Sequence, residues 1–221
     1  MSRQSSSSAG IAACTYITFI VLIIAWIGAW VLKISLEQSI SWLTTSMGSF
    51  FYWVTAKVCI WIVPAVWLLK LSRSSVKEVF NFPNWRAWLA WGGGVGLLIA
   101  LTGIIPNYLQ GNELLPTEFS FPLLNVLLVA PAFEEFLMRG AILRNLQEEY
   151  SFWAANAATS VMFVILHIPG WHFMGVLWDN LTNPAGGALS IFLVSLCFGY
   201  ASHRSSSVMG GVLAHCLNNP F

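Results

Sequence analysis

The sequence contains little charge, since Asp, Glu, Lys and Arg together make up only 9% of its 221 residues, against about 25% in a typical soluble domain. Hydrophobic residues make up 57%. A soluble chain of this length cannot bury so much apolar surface, whereas a lipid bilayer solvates the outer faces of apolar helices. The net charge is +1 and the basic residues form no phosphate-binding stripe, so nucleic acid is not expected as a partner.

Cysteine motifs, strand patterns and repeats are also missing. The cysteines lie in apolar stretches without a CxxC spacing, which argues against a disulfide framework or a cysteine-based zinc site. Because no strand-like alternation is present, the fold is expected to be all-α. The absence of inverted repeats disfavours a transporter built on such repeats.

Long apolar runs predict one integral membrane domain over residues 1–221, a polytopic transmembrane bundle of about seven helices, since each span needs roughly 20 residues. The first run is longer than a signal-peptide core and is expected to be retained. Pro131 predicts a kink in the fourth helix, and Pro169 with Gly170 predicts the end of the fifth. The predicted helices cover residues 11–32, 47–69, 87–105, 121–149, 152–168, 186–201 and 206–219.

The positive charges fall in alternate loops, which predicts an orientation. Apart from Lys33, the cations near the helix ends lie before helix one, in the loops after helices two and six, or in the last turns of helix four: Arg3, Lys70, Arg73, Lys77, Arg86, Arg204 and Arg144. The positive-inside rule therefore places the N-terminus in the cytoplasm. We expect the plasma (inner) membrane of a bacterium.

Ionisable side chains inside membrane helices are expensive, so each one is a functional candidate. The strongest group is PAFEEFLMRG, residues 131–140. Glu135 and Arg139 are four residues apart, acid before base, and are expected to pair. Glu134 points about 100° away around the helix, so the two acids are expected to serve different partners. Glu134 is then a candidate general base for a water; the alternative is that both acids complete a structural polar network.

A histidine on the fifth helix is expected at the depth of Glu134. In FVILHIP, residues 163–169, His167 lies about 25 Å from the turn near Tyr150 at 1.5 Å per residue, as far from it as Glu134 does. A lone histidine on an apolar helix is more often a core residue than a ligand. The equal depth on adjacent antiparallel helices favours a shared site.

The last helix contains LAHCLNN, residues 213–219, in which His215 and Asn219 are four residues apart and share a face. Asn219 precedes a proline, which biases it away from helical angles, so Asn218 is the alternative inward-facing amide. Lys57 on the second helix either snorkels or pairs with a carboxylate, and the sequence assigns it no role.

The motifs in order resemble the EExxxR, FxxxH and HxxxN motifs of the CAAX protease and bacteriocin-processing (Abi) family of intramembrane proteases: EEFLMR with Glu134, Glu135 and Arg139, FVILH with Phe163 and His167, and HCLNN with His215 and Asn219. Each motif is short, but three on separate membrane helices make a specific match. The resemblance covers roughly residues 121–221, the expected catalytic core.

The resemblance implies hydrolysis of a peptide bond within the membrane, either as C-terminal processing by type II CAAX prenyl endopeptidases or as bacteriocin-related maturation or immunity. The implied partner is a peptide or protein substrate, prenylated or membrane-anchored. Glu134 and His167 would activate water, His215 and Asn219 would stabilise the oxyanion, and Glu135 and Arg139 would support them.

The resemblance leaves open whether a metal ion takes part in the reaction, because the family is also described as one of metalloproteases. A zinc ion would be held by Glu134, His167 and His215. A metal-free mechanism is favoured, since a glutamate acting as base leaves too few ligands.

Two other functions compete with the protease. One is a catalytically silent membrane protein for peptide binding or immunity, which would tolerate Glu134→Gln. The other is a small proton-coupled transporter that uses the intramembrane carboxylates and histidines as a relay.

Overall fold

The computed structural model describes residues 2–112 and 118–219, and the regular structure within these ranges is helical throughout. Short 3-10 turns at Ser41–Thr44 and Phe82–Asn84 accompany the helices. The helices are α1 (Ser2–Glu37), α2 (Ser46–Leu71), α3 (Val76–Phe80), α4 (Trp85–Leu109), α5 (Phe121–Leu146), α6 (Phe152–Phe173), α7 (Leu177–Thr182), α8 (Ala188–Ser205) and α9 (Val208–Asn218).

These elements confirm the expected all-α polytopic bundle, because all seven predicted helices are present. Within the part of the chain that the structure describes, five segments are long and apolar enough to cross a membrane: Ala9–Glu37, Ser46–Leu71, Val76–Leu109, Phe121–Leu146 and Phe152–Phe173. The chain is therefore an integral membrane protein. Helix α9 has 11 residues and is about 16 Å long, roughly half the thickness of the hydrocarbon core.

The predicted end of the fifth helix at Pro169 and Gly170 is wrong, because α6 continues through both residues to Phe173. A proline inside a helix removes one backbone hydrogen bond, and packing compensates for it here. Trp30 of α1 packs against this end of the helix. A Cβ built on Gly170 would lie 3.3 Å from the Trp30 ring, and that ring stacks on the Phe173 ring with the centroids 5.8 Å apart. Tertiary contact thus extends the helix past its local stop signal.

Helix α5 departs from regular geometry around Pro131. It contains π-helical segments at Asn125–Val129 and Phe136–Leu143, on either side of the α-helical turns that carry Glu134 and Glu135. Wider π turns change the direction of the side chains that follow, and they occur frequently at functional sites. The sequence predicted a kink here and gave no sign of π segments.

Small residues let α9 pack closely between its neighbours. A Cβ on Gly92 of α4 would lie 2.5 Å from the carbonyl oxygen of Gly210, and one on Gly96 would lie 2.9 Å from the Cα of Ala214. Close backbone approach through small residues is the usual basis of helix association in membranes. It places α9, which carries His215, inside the bundle.

Gly92 and Gly94 on α4 form a matched pair for testing this packing. No atom lies within 4 Å of a Cβ built on Gly94. We expect Gly92→Ala to push α4 from α9 and lower the free energy of unfolding by about 1–3 kcal/mol. Gly94→Ala is expected to be neutral or slightly stabilising, because alanine is the better helix former. Thermal unfolding of the purified variants in detergent measures both, and equal melting temperatures would contradict the close approach.

The loops that carry most of the cations meet at one end of the bundle. The Arg144 Nε in the last turn of α5 donates to the Ser74 Oγ at 2.9 Å, and the Asn84 Nδ2 donates to the carbonyl of Ser205, beside the α8–α9 turn, at 2.7 Å. These loops therefore lie on the same side, as the positive-inside argument requires. That this side is cytoplasmic stays a prediction.

Candidate active site

The pair predicted on α5 is present and fully buried. The Arg139 Nη1 donates to the Glu135 Oε1 at 3.1 Å, and both side chains have 0% exposure. The Nη2 of Arg139 donates to the carbonyl and the hydroxyl oxygen of Ser195 on α8, each at 2.6 Å. Because a buried charge is tolerated only when it is paired and hydrogen-bonded, this network fixes α5 against α8.

His215 connects α9 to both carboxylates. Its Nδ1 lies 3.0 Å from the Glu135 Oε1, and its Nε2 lies 3.9 Å from the Glu134 Oε2. The two acids were expected to serve different partners, and the structure differs because an imidazole carries nitrogens on opposite edges. With Nδ1–H donating to Glu135, the Nε2 edge faces Glu134.

Aromatic rings hold this histidine and the arginine in place. The Phe198 ring stacks on that of His215 at 4.6 Å, and the Phe163 ring meets His215 edge-on at 5.9 Å. The Arg139 guanidinium lies 4.9 Å from the centre of the Phe163 ring. Such packing restricts the rotamers of the polar groups and keeps them in one geometry.

His167 lies one turn beyond Phe163 on α6. Its Nδ1 donates to the carbonyl of Phe163 at 2.7 Å, and the two rings are 4.8 Å apart. That hydrogen bond selects the tautomer in which Nε2 has a free lone pair. Among the described residues His167 forms no ion pair with Glu134 or Glu135, so a bridging water would be needed to connect it with them.

Glu134 itself is nearly buried, with 10% of its side chain exposed, and faces a nitrogen on each side. The Lys57 Nζ of α2 lies 4.0 Å from its Oε1, and the His215 Nε2 lies 3.9 Å from its Oε2. Both separations exceed a hydrogen bond. Within the described ranges the carboxylate therefore keeps its acceptor capacity for a water or a substrate.

Asn219, the fourth expected member of the site, is engaged elsewhere. Its Nδ2 donates to the carbonyl of Val126 on α5 at 2.7 Å. With Asn218 it lines a cavity bordered by Thr102 of α4 and Ser190 of α8. The contact ties the C-terminal end of α9 to α5, two turns of helix before Glu134.

Residues 116–221 match the family model described as Rce1-like, type II CAAX prenyl endopeptidase. Over this region, which is slightly less than half of the chain, the sequence is similar to the Rce1-like family. The match includes all six predicted site residues and confirms the resemblance drawn from the three motifs. This similarity supports a CAAX-type intramembrane protease in general terms. No curated protein and no solved structure matches the chain.

The metal site considered for Glu134, His167 and His215 does not fit the geometry. In the ranges that the structure describes, no group of three or more His, Cys, Asp or Glu side chains is arranged to hold a metal ion. The described side chains around Glu134 therefore do not form a three-ligand metal site.

Three residues that sequence analysis left out belong to the site. Ser195 and Phe198 of α8 hold Arg139 and His215, and neither carries an ionisable group that would have marked it. Lys57 was noticed as an intramembrane charge but received no role. It lies outside the Rce1-like region and reaches Glu134 from another helix.

Proposed function

We propose that this protein is an intramembrane endopeptidase that hydrolyses a peptide bond near the C-terminus of a prenylated, CAAX-type substrate. The observation that supports this most directly is the buried Glu134 carboxylate, which lies beside His215 and Lys57 with its hydrogen-bonding capacity unused. The polar groups of residues 121–221 would form the catalytic core.

In the proposed mechanism one water lies between Glu134 and the Nε2 of His167. Glu134 takes a proton from the water as its oxygen attacks the scissile carbonyl carbon, and the carbonyl oxygen becomes an oxyanion. Glu134 then returns the proton to the leaving nitrogen as the C–N bond breaks. His167 orients the water through its free lone pair, which the hydrogen bond to Phe163 keeps available.

As an imidazolium, in which both ring nitrogens carry a proton, His215 would donate its Nε2–H to the developing negative charge while Glu135 accepts its Nδ1–H. Glu135 and Arg139 would act through it, since Glu135 accepts the Nδ1–H of His215 and Arg139 fixes Glu135. Preorganised donors are most effective in a water-poor site, where the low dielectric strengthens every charge interaction. Asn219, bonded to Val126, would keep α9 in register.

The proposed location is the plasma (inner) membrane of a bacterium with a cytoplasmic N-terminus. The loops that share one end of the bundle support this orientation. A cavity of about 240 Å³ opens near that end, lined by Arg144 and His203, and reaches inward to Arg139. A substrate delivered from the cytosol would enter from this side.

The test is the release of a C-terminal tripeptide from a farnesylated CAAX peptide by the purified protein in liposomes. We expect the wild type to release it and Glu134→Gln to lose at least about 10²–10⁴-fold in rate, the usual contribution of a general base. Glu149→Gln, an exposed acid in the α5–α6 turn, is the matched control and should retain activity.

The same assay tests the metal-free mechanism, since protein stripped with a chelator is expected to keep its rate. Loss on chelation with recovery on adding zinc would contradict the glutamate mechanism. Cleavage by Glu134→Gln at the wild-type rate would contradict the proposed function.

A further inference from the structure

Lys57 is a buried cation directed at the candidate base from outside the family-matched region. It is the last residue before the π-helical turn Val58–Ile62 of α2. Its side chain is 8% exposed, with the Nζ 4.0 Å from the Glu134 Oε1 and 5.0 Å from the centre of the Trp61 ring. An ammonium group at this depth is expensive for a membrane protein and is a functional candidate by default.

The hydrogen-bonding capacity of Lys57 is unused. An ammonium group has three donors, and in the described part of the chain none of them reaches a protein acceptor within hydrogen-bond distance, since the Glu134 oxygen at 4.0 Å is too far. By contrast, the buried Lys33 of α1 donates to the Leu43 carbonyl at 3.0 Å and pairs with Glu37. Lys57 therefore has donors available for a group that enters beside Glu134.

The position of Lys57 suits a reacting carbonyl better than that of Asn219 does. Lys57 and His215 face opposite oxygens of Glu134, so a carbonyl carbon attacked by a water on this carboxylate has a cationic donor close by. Asn219 donates its amide to Val126 at 2.7 Å instead. An oxyanion donor must lie near both the nucleophile and the reacting atom.

We propose that Lys57 is a catalytic residue that stabilises the oxyanion of the tetrahedral intermediate, a role that rests on the proposed function. As the water oxygen bonds to the carbonyl carbon and its proton moves to Glu134, the C=O π electrons move onto oxygen. The Lys57 ammonium donates a hydrogen bond to that oxyanion. When the C–N bond breaks, the C=O bond reforms, Glu134 protonates the leaving amine, and Lys57 keeps its proton throughout. Because charge on the oxygen develops only after attack, this interaction favours the transition state over the bound substrate.

The experiment compares Lys57→Met, Lys57→Arg and Asn219→Ala with the wild type on the farnesylated peptide in liposomes. Lys57→Met is expected to lower kcat by about 10²–10³-fold, the effect of losing one oxyanion donor, with KM nearly unchanged. Lys57→Arg should recover part of the loss because it keeps a charged donor, and Asn219→Ala should cost less than Lys57→Met. Lys33→Met is the control, a buried lysine away from the site, and should keep kcat per folded molecule.

A phosphinate analogue of the peptide, whose anionic tetrahedral phosphorus copies the intermediate, supplies a second measurement. Relative to the wild type, Lys57→Met should bind the phosphinate more weakly by the same factor by which its kcat/KM is lowered. If Lys57→Met alone does not fold, Glu134→Gln is compared with Glu134→Gln/Lys57→Met, in which both charges of the pair are absent. The double variant is expected to bind the phosphinate more weakly than the single variant.

The outcomes separate this proposal from the proposed function. Suppose that the wild type cleaves the peptide and Glu134→Gln does not. If Lys57→Met then keeps the wild-type kcat, or keeps the wild-type affinity for the phosphinate, only the role of Lys57 is overturned. A loss by Lys57→Met confined to KM would overturn it too. If the wild type does not cleave the peptide, or Glu134→Gln cleaves it normally, the proposed function fails and the role of Lys57 fails with it.

Discussion

Arg139→Ala is expected to remove about 3–5 kcal/mol of stability, because it leaves the fully buried Glu135 as an uncompensated charge. The same change removes both hydrogen bonds to Ser195 that join α5 to α8. Native proteins are stable by only about 5–15 kcal/mol, so this change removes a large part of the total stability and should lower the abundance of the protein. The measurement is its abundance in the membrane and its melting temperature in detergent.

Arg144→Ala is the matched control for this prediction, since Arg144 lies further along α5 and, among the residues that the structure describes, its Nε donates to the Ser74 hydroxyl near the loop end. It should change stability little. Glu135→Met/Arg139→Met provides a second test, because replacing both members of a buried pair by apolar residues is often neutral. We expect that double variant to accumulate without regaining activity, since His215 loses its carboxylate. Arg139→Ala at the abundance of Arg144→Ala would contradict the structural role of the pair.

The second large effect is expected from Glu134 and His167. If both act on one water, Glu134→Gln and His167→Ala should each lose about 10²–10⁴-fold in kcat/KM. Because substitutions of residues that act as a unit have non-additive effects, the double variant should be nearly as active as the less active of the two single variants. His172→Ala, a histidine on the last turn of the same helix α6, is the control and should stay close to the wild type.

The sequence predicted the parts of the structure that depend on local patterns. Apolar runs of about 20 residues marked the membrane helices. The Glu135–Arg139 pair followed from a spacing of four on one helix. The His215 nitrogens lie 3.0 Å and 3.9 Å from the carboxylates of Glu135 and Glu134, and a site shared with His167 stays a prediction. These predictions hold because hydropathy and helical periodicity act over short stretches of chain.

The parts that were left open or predicted wrongly depend on contacts between distant segments. Nothing near Lys57 in the chain indicates that α2 brings it against Glu134. The continuation of α6 through Pro169 depends on packing against Trp30 of α1. The amide of Asn219 was expected beside His215, but its bond to Val126 depends on where α9 meets the π segment of α5.

The central claim is that Glu134 and His167 activate the same water. Its most direct test is the rate of tripeptide release from the farnesylated peptide by the wild type, Glu134→Gln, His167→Ala and the double variant. The account predicts a double variant within a few-fold of the slower single variant, as expected for residues that act together. Strictly additive losses, in which the double variant falls by the product of the two single effects, would contradict it.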